Sequence, residues 1–168
     1  QDRMTERERL EALLNRQPVD RIPFHAIINA FAAAMVGYSK VDVYEDPERA
    51  FWAKLRTHEM FGGCGRLLYG PAFGAREFGG DVKLPTHVYA MAPSLLRPAV
   101  QSEEDVWKLK LPDVKTAGGV PLAMRFSKLQ AEHGLLISFN SGGILTRLGY
   151  VTGVERMCRW MKKRPELV

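Results

Sequence analysis

The stretch from Leu135 to Val168 constrains the fold most, because it contains a complete strand, loop and helix pattern. Residues 135–139 form a short apolar run rich in branched and aromatic side chains, which predicts a buried strand. Small residues follow the run, and they let the backbone come close to a ligand. These loop residues are Asn140, Ser141, Gly142 and Gly143. A strand followed by such a loop and a helix is the repeating unit of α/β proteins.

The helix predicted after this loop begins with a capping box. Thr152 and Glu155 have the spacing at which two side chains satisfy free amides at a helix start. An apolar stripe follows at helical spacing, formed by Val154, Met157, Cys158 and Met161. Cys158 is therefore predicted to pack in the core. Residues 164–168 then resemble the opening of another helix, with Pro165 in its first turn, so we expect the front part of a larger α/β protein.

Short apolar runs and capped helices alternate along the rest of the chain as well. Further strands are predicted at Phe24–Asn29 and Arg66–Tyr69, and a hairpin or excursion is predicted between Gly70 and Pro98. Helix starts are predicted at Thr5, Asp46, Ser102 and Pro121. Helices between short strands indicate βαβ units. The predicted fold class is thus α/β, with its three strands mutually parallel.

Composition and charge exclude several classes of protein. No apolar run approaches the roughly 20 residues that a membrane helix needs, so no membrane partner is expected. The two cysteines, Cys64 and Cys158, give no disulfide framework, which fits a cytoplasmic location. The net charge of +5 does not by itself indicate nucleic acid, since its densest basic cluster, at Arg159 and residues 162–164, suits a helix C-terminus. We expect no nucleic-acid partner.

The histidines show no spacing typical of metal ligands. They are His25, His58, His87 and His133, and neither cysteine is placed to pair locally with one of them. No metal site within this chain is therefore expected. His58 is predicted on a helix surface and His133 at a helix end. For His25, in a predicted strand, a hydrogen-bonded core histidine is favoured over a functional one.

The candidate binding residues follow the predicted strands, where α/β sheets and barrels build their sites. They are Asn29, Tyr69 and the loop of Asn140, Ser141, Gly142 and Gly143, together with Glu77. We expect them to line one concave mouth as substrate-binding residues. Asn140 fits a turn as well as a binding role. Glu77 is read as a solvated loop acid or as an ion-pair partner of Arg76.

Several segments in a fixed order resemble one known family. These segments are residues 4–15, 18–23, 76–80, 111–113, 140–143 and 164–168. Together they resemble the uroporphyrinogen decarboxylase-like superfamily, and within it the corrinoid-linked (methylcobamide) methyltransferases most closely. The resemblance spans nearly the whole chain.

The resemblance implies a (β/α)8 TIM-type barrel of about twice this length. Residues 1–168 would be its N-terminal half, with a helical extension at about 4–17 and βα units after about 22. Such enzymes move a methyl group between a corrinoid protein and a thiol, tetrahydrofolate or a methylated substrate. The implied partners are a corrinoid protein and the C-terminal half of the barrel, or a second copy of this chain. Zinc is implied only through ligands in the other half, so the catalytic residues stay unassigned.

One departure separates the chain from true uroporphyrinogen decarboxylases. Those enzymes carry an arginine-rich motif in the first βα region to hold substrate carboxylates, whereas residues 24–31 here contain no arginine. The methyltransferase is therefore favoured over porphyrinogen decarboxylation. The alternatives that remain are a uroporphyrinogen decarboxylase and a non-catalytic half-barrel assembly module, since half barrels expose strand edges.

Overall fold

A computed structural model of the chain describes residues 2–63, 66–71, 74–137 and 142–168. Within these ranges the chain contains eight α-helices and one two-stranded hairpin. The helices are α1 (Glu6–Leu14), α2 (Phe31–Val36), α3 (Asp42–Glu45), α4 (Pro47–Phe61), α5 (Glu103–Lys108), α6 (Val120–Glu132), α7 (Ile144–Thr152) and α8 (Val154–Lys163). The hairpin pairs β1 (Asp81–Lys83) with β2 (Ser94–Arg97). Short 3-10 turns occupy Arg76–Phe78 and Pro165–Leu167.

The predicted starts of α1, α4 and α5 are confirmed, and a capping side chain precedes each of these helices. Thr5 and Ser102 each complete a capping box, and Asp46 accepts hydrogen bonds from two amides in the first turn of α4. Helix α6 begins with Pro121 in its first turn, as expected, and His133 caps its C-terminus. None of the helices in the described part of the chain is long and apolar enough to cross a membrane.

The main core is built around α4 and α6. Phe51 and Phe126 meet edge to face, with ring centroids 5.8 Å apart, and Tyr69 stacks on Phe126 at 4.7 Å. Small residues of α2, such as Ala32 and Ala33, are fully buried and let that helix pack closely on α4. The core thus sits between helices and the extended segment that contains Tyr69.

A second, smaller core joins the segment after β2 to the last helices through Val100, Val151, Trp160 and Leu167, and it corrects two predictions. Trp160, not the predicted stripe, is the buried residue of α8, while Val154, Cys158 and Met161 are exposed. Thr152 ends α7 and does not cap α8. Its hydroxyl donates to the carbonyl of Leu148 within α7. Helix α8 begins one residue later than the capping box implied, because Gly153, at φ 81°, separates it from α7.

The strand predictions are wrong for the residues that the structure describes. Phe24–Asn29, Arg66–Tyr69 and residues 135–137 are not strands, and the only sheet among the described residues is the antiparallel hairpin. Residues 138 and 139, the end of the third predicted strand, lie outside the described ranges. The hairpin itself falls within the Gly70–Pro98 stretch where one was expected.

Helix side chains bind carbonyl groups of these extended segments. The ammonium of Lys54 donates to the carbonyl of Ile28 at 2.5 Å. The side-chain amide of Gln130 donates to the carbonyls of Leu67 at 2.9 Å and Leu136 at 3.2 Å. These extended segments therefore lie against helices α4 and α6, and side chains of those helices donate hydrogen bonds to their backbone carbonyls.

Candidate functional site

A pocket of about 260 Å³ opens beside Asn29, the first of the expected binding residues. Its wall combines the end of the first extended segment, the second extended segment, the hairpin loop and α7. The side chains that line it include Asn29, Tyr44, Leu68, Pro93 and Tyr150. None of the described lining residues is a lysine, arginine, aspartate or glutamate, so the pocket offers an amide, two phenols and apolar surface.

The phenol of Tyr44 is a neutral hydrogen-bonding group at the pocket. Tyr44 is buried, and its hydroxyl donates to the carbonyl of Met91 at 2.7 Å. Burial, with a smaller effect of the nearby Tyr150 hydroxyl, raises the pKa of Tyr44 to about 12. The Tyr44 phenol therefore keeps its proton at physiological pH. Neutral donors and acceptors of this kind orient a ligand without adding charge.

Tyr69 lies behind the pocket and supports one of its walls. Its side chain is buried, and its hydroxyl donates to the backbone carbonyl of Tyr44 at 2.9 Å. Burial is the main cause that raises the pKa of Tyr69 well above its ordinary value. This hydrogen bond fixes α3, so Tyr69 acts on the pocket by holding Tyr44 in place.

Glu77 connects two loops through its carboxylate. One oxygen accepts from the amide of Gly74 and the other from the amide of Gly119 at 2.7 Å, directly before α6. Arg76 pairs with Glu45 at 2.7 Å, so the alternative of an Arg76–Glu77 ion pair is wrong. The interpretation of Glu77 as a solvated loop acid is also wrong, because backbone amides donate hydrogen bonds to both of its carboxylate oxygens. Gly118, at φ 51°, leaves room for it, since an added Cβ there would lie 2.4 Å from a Glu77 oxygen.

The glycine loop is described only in part. Asn140 and Ser141 lie outside the described residues, and their expected roles stay predictions. Gly142 and Gly143 are exposed, and Gly143 is the residue before α7. Of the expected residues that the structure describes, Asn29 lines the pocket, Tyr69 supports its wall, and Glu77 holds a neighbouring loop. Sequence reasoning missed Tyr44 and Tyr150, which no local motif marks.

A second cluster of ionisable groups lies between the first extended segment and α4. The rings of His25 and His58 stack with centroids 6.0 Å apart and an interplanar angle of 18°. Burial lowers the pKa of both imidazoles, and burial alone lowers the pKa of Lys54 to about 8. His58 is buried, so its predicted surface position is wrong. In the described part of the chain, no three His, Cys, Asp or Glu side chains converge as metal ligands.

The model of the Uroporphyrinogen decarboxylase (URO-D) family matches residues 5–168, so the chain belongs to that family. Among solved structures, it is similar to a methyltransferase from Methanosarcina mazei, with a TM-score of 0.79 and 20% sequence identity. That match covers 98% of this chain and 50% of the methyltransferase, so the chain spans about half the length of that protein. No curated protein matches the chain.

These comparisons support part of the expected fold. The family and the structural likeness both fit an α/β fragment, as the resemblance implied. The described residues contain few strands and show no closed barrel. At 20% identity the likeness to the methyltransferase concerns the fold, not the reaction.

Proposed function

We propose that this chain is the N-terminal part of a corrinoid-dependent methyltransferase. In this proposal the enzyme moves a methyl group between a corrinoid protein and a thiol, tetrahydrofolate or a methylated substrate. The observation that carries the proposal is the uncharged pocket at Asn29. A porphyrinogen decarboxylase must hold several substrate carboxylates, which arginine side chains bind best. The described lining of this pocket offers no cationic side chain for that purpose.

The lining suits a neutral ligand group. Asn29 supplies a donor and an acceptor, and the Tyr150 phenol lies in the same wall. Leu68, Ala92 and Pro93 supply apolar surface around these polar groups. The fold of the chain is similar to that of a methyltransferase, which supports the same assignment. We also propose Asn140 and Ser141 as substrate-binding residues.

The first test is the reaction itself. Protein that contains this chain together with the rest of its barrel should demethylate methylcobalamin in the presence of a thiol, followed by the absorbance change of the corrinoid. It should not release carbon dioxide from uroporphyrinogen. Decarboxylation without methyl transfer would refute the proposal in favour of the decarboxylase.

The second test is the role of Asn29. Replacement of Asn29 by Leu removes the amide from the pocket wall, and one hydrogen bond contributes about 0.5–1.5 kcal/mol, so methyl transfer should fall roughly two- to tenfold. Asn15→Leu is the matched control, since Asn15 is exposed at the end of α1. Equal rates for the two variants would remove Asn29 from the site.

One observation favours the alternative of an assembly module. Several apolar side chains of the extended segments are solvent-exposed, which is unusual for a surface that no other chain or domain covers. Ile27 is 71% exposed and Ile137 is 57% exposed, and Ile22, just before the first segment, is 82% exposed. We propose that the C-terminal half of the barrel, or a second copy of the chain, covers this surface. Sedimentation at micromolar concentration tests this proposal. A monomer that unfolds cooperatively and resists heat would contradict it.

A further inference from the structure

The hairpin loop between β1 and β2, residues 84–93, is held from outside the hairpin by one lysine. We call this loop the strap. Lys40 lies in the turn between α2 and α3, and its ammonium donates to three carbonyls of the strap. These are the carbonyls of Val88, of Ala90 at 2.9 Å and of His87 at 3.2 Å. An ammonium has three donors. Each of them is directed here at a carbonyl of the same short loop.

A second anchor lies next to the first. The hydroxyl of Tyr44 donates to the carbonyl of Met91, one residue beyond the carbonyls that Lys40 binds. Immediately after Met91, the strap contributes Ala92 and Pro93 to the wall of the pocket at Asn29. The hydrogen bonds of Lys40 and Tyr44 therefore determine where one wall of that pocket stands.

Packing contributes little to the position of the strap tip. Val88 is 68% exposed and Tyr89 is 85% exposed, so neither side chain is buried against the protein. A loop with few buried apolar contacts opens at low free energy unless hydrogen bonds hold it. Side-chain donors thus supply the attachment that an apolar anchor supplies in other loops.

We propose that Lys40 is a positioning residue that closes the strap over the pocket at Asn29, and that the strap limits the size of the ligand group. With the strap in place the pocket is about 260 Å³. This volume is slightly below the roughly 300–1,000 Å³ of drug-sized ligand sites, so it fits a small neutral group. Displacement of Ala92 and Pro93 would open the pocket toward larger groups. The size limit rests on the function proposed above, whereas the attachment of the strap does not.

The attachment is tested by hydrogen–deuterium exchange on the chain itself. In Lys40→Met, amides of residues 86–92 should exchange at least about tenfold faster, because hydrogen bonds to a charged donor contribute about 1.5–3 kcal/mol. Amides of α4 and α6 should keep their wild-type rates. Lys83→Met is the matched control, since Lys83 is an exposed lysine of the same hairpin. It should leave exchange in the strap unchanged.

Two outcomes would overturn the attachment. Unchanged exchange of the strap in Lys40→Met would show that Lys40 does not hold it. A uniform increase over the whole chain would show that Lys40 supports the fold in general and not the strap in particular. Lys40→Arg gives a further check, because a planar guanidinium cannot direct three donors from one atom, so it should restore the strap only in part.

The size limit has its own readout in the complete enzyme. Lys40→Met should lower KM for a bulky methyl acceptor relative to a small one, with little change in kcat. If wild type and Lys40→Met both transfer methyl groups with the same acceptor preference, the size limit is overturned. The attachment of the strap by Lys40 is not affected by that result. If no methyl transfer occurs at all, the proposed function fails, and the exchange experiment still decides the attachment.

Discussion

Lys54 provides the sharpest test of the buried electrostatics. Its side chain is 3% exposed, and burial lowers its pKa from the ordinary value of 10.5 to about 8. At about 1.4 kcal/mol per pKa unit, the buried ammonium makes the folded state roughly 3 kcal/mol less favourable than it would be with a neutral amine. The hydrogen bond to Ile28 offsets part of this cost.

The pH dependence follows from proton binding in the two states. Below pH 8 the folded and the unfolded chain both hold the proton of Lys54, so this group adds no slope. Between about 8 and 10.5 the unfolded chain still holds it while the folded chain has lost it, so the free energy of unfolding rises with pH. Wild type should therefore gain roughly 3 kcal/mol relative to Lys54→Met between pH 7 and pH 11.

The assay is urea unfolding at a series of pH values, followed by tryptophan fluorescence. Taking the difference between wild type and Lys54→Met cancels the titration of the buried tyrosines, which both proteins share. Lys128→Met is the control, because Lys128 is exposed on α6. Parallel curves for wild type and Lys54→Met across this pH range would refute the reasoning about burial.

Three further predictions concern stability. Burial lowers the pKa of His25 and His58, so the unfolded chain binds protons more readily, and the free energy of unfolding should fall as pH drops below about 6.5. Replacing both histidines by Gln should flatten this dependence in urea unfolding between pH 5 and 7. Glu77→Gln should lower the free energy of unfolding by about 1–3 kcal/mol in the same assay, since its new amide group opposes a backbone donor. Asp20→Asn should lower the melting temperature, because Asp20 accepts two hydrogen bonds, at 2.6 and 2.9 Å, from the buried Arg9.

Each of these predictions has a clear contrary result. An unaltered acid dependence in the double histidine variant would assign the effect to other groups. Wild-type stability of Glu77→Gln would mean that the two loops are held by other contacts. An unchanged melting temperature in Asp20→Asn would show that the remaining acids around Arg9 compensate for the lost charge.

Local signals explain which elements could be predicted from the sequence. The starts of α1, α4 and α5 depend on side chains within three residues of the helix, so Thr5, Asp46 and Ser102 predicted them. Thr152 shows the limit of such signals, because a capping pattern does not reveal that the preceding residues already form a helix. Gly153, at φ 81°, decides that boundary.

Strands and pocket residues depend on distant partners, and the sequence predicted them less well. An apolar run such as Phe24–Asn29 fits a strand or an extended segment under helices equally well, and only the neighbours decide between the two. The pocket brings Asn29 together with Tyr44 and Tyr150, which are far apart in the chain. Asn29 could be predicted as a binding residue because the end of an apolar run is a local feature of the sequence. Tyr150 lies within an ordinary helix, and its sequence neighbours give no sign of the pocket.

The position of Gln130 has a consequence for the evolution of this chain. One neutral nitrogen with two hydrogens binds carbonyls of two separate segments, and the side chain is fully buried. Glutamate would offer only acceptors, leucine no donors, and asparagine a shorter reach. Selection should therefore retain glutamine at this position in relatives with the same packing. Where it has been replaced, we expect a compensating change beside Leu67 or Leu136, visible as correlated substitution in an alignment of the family.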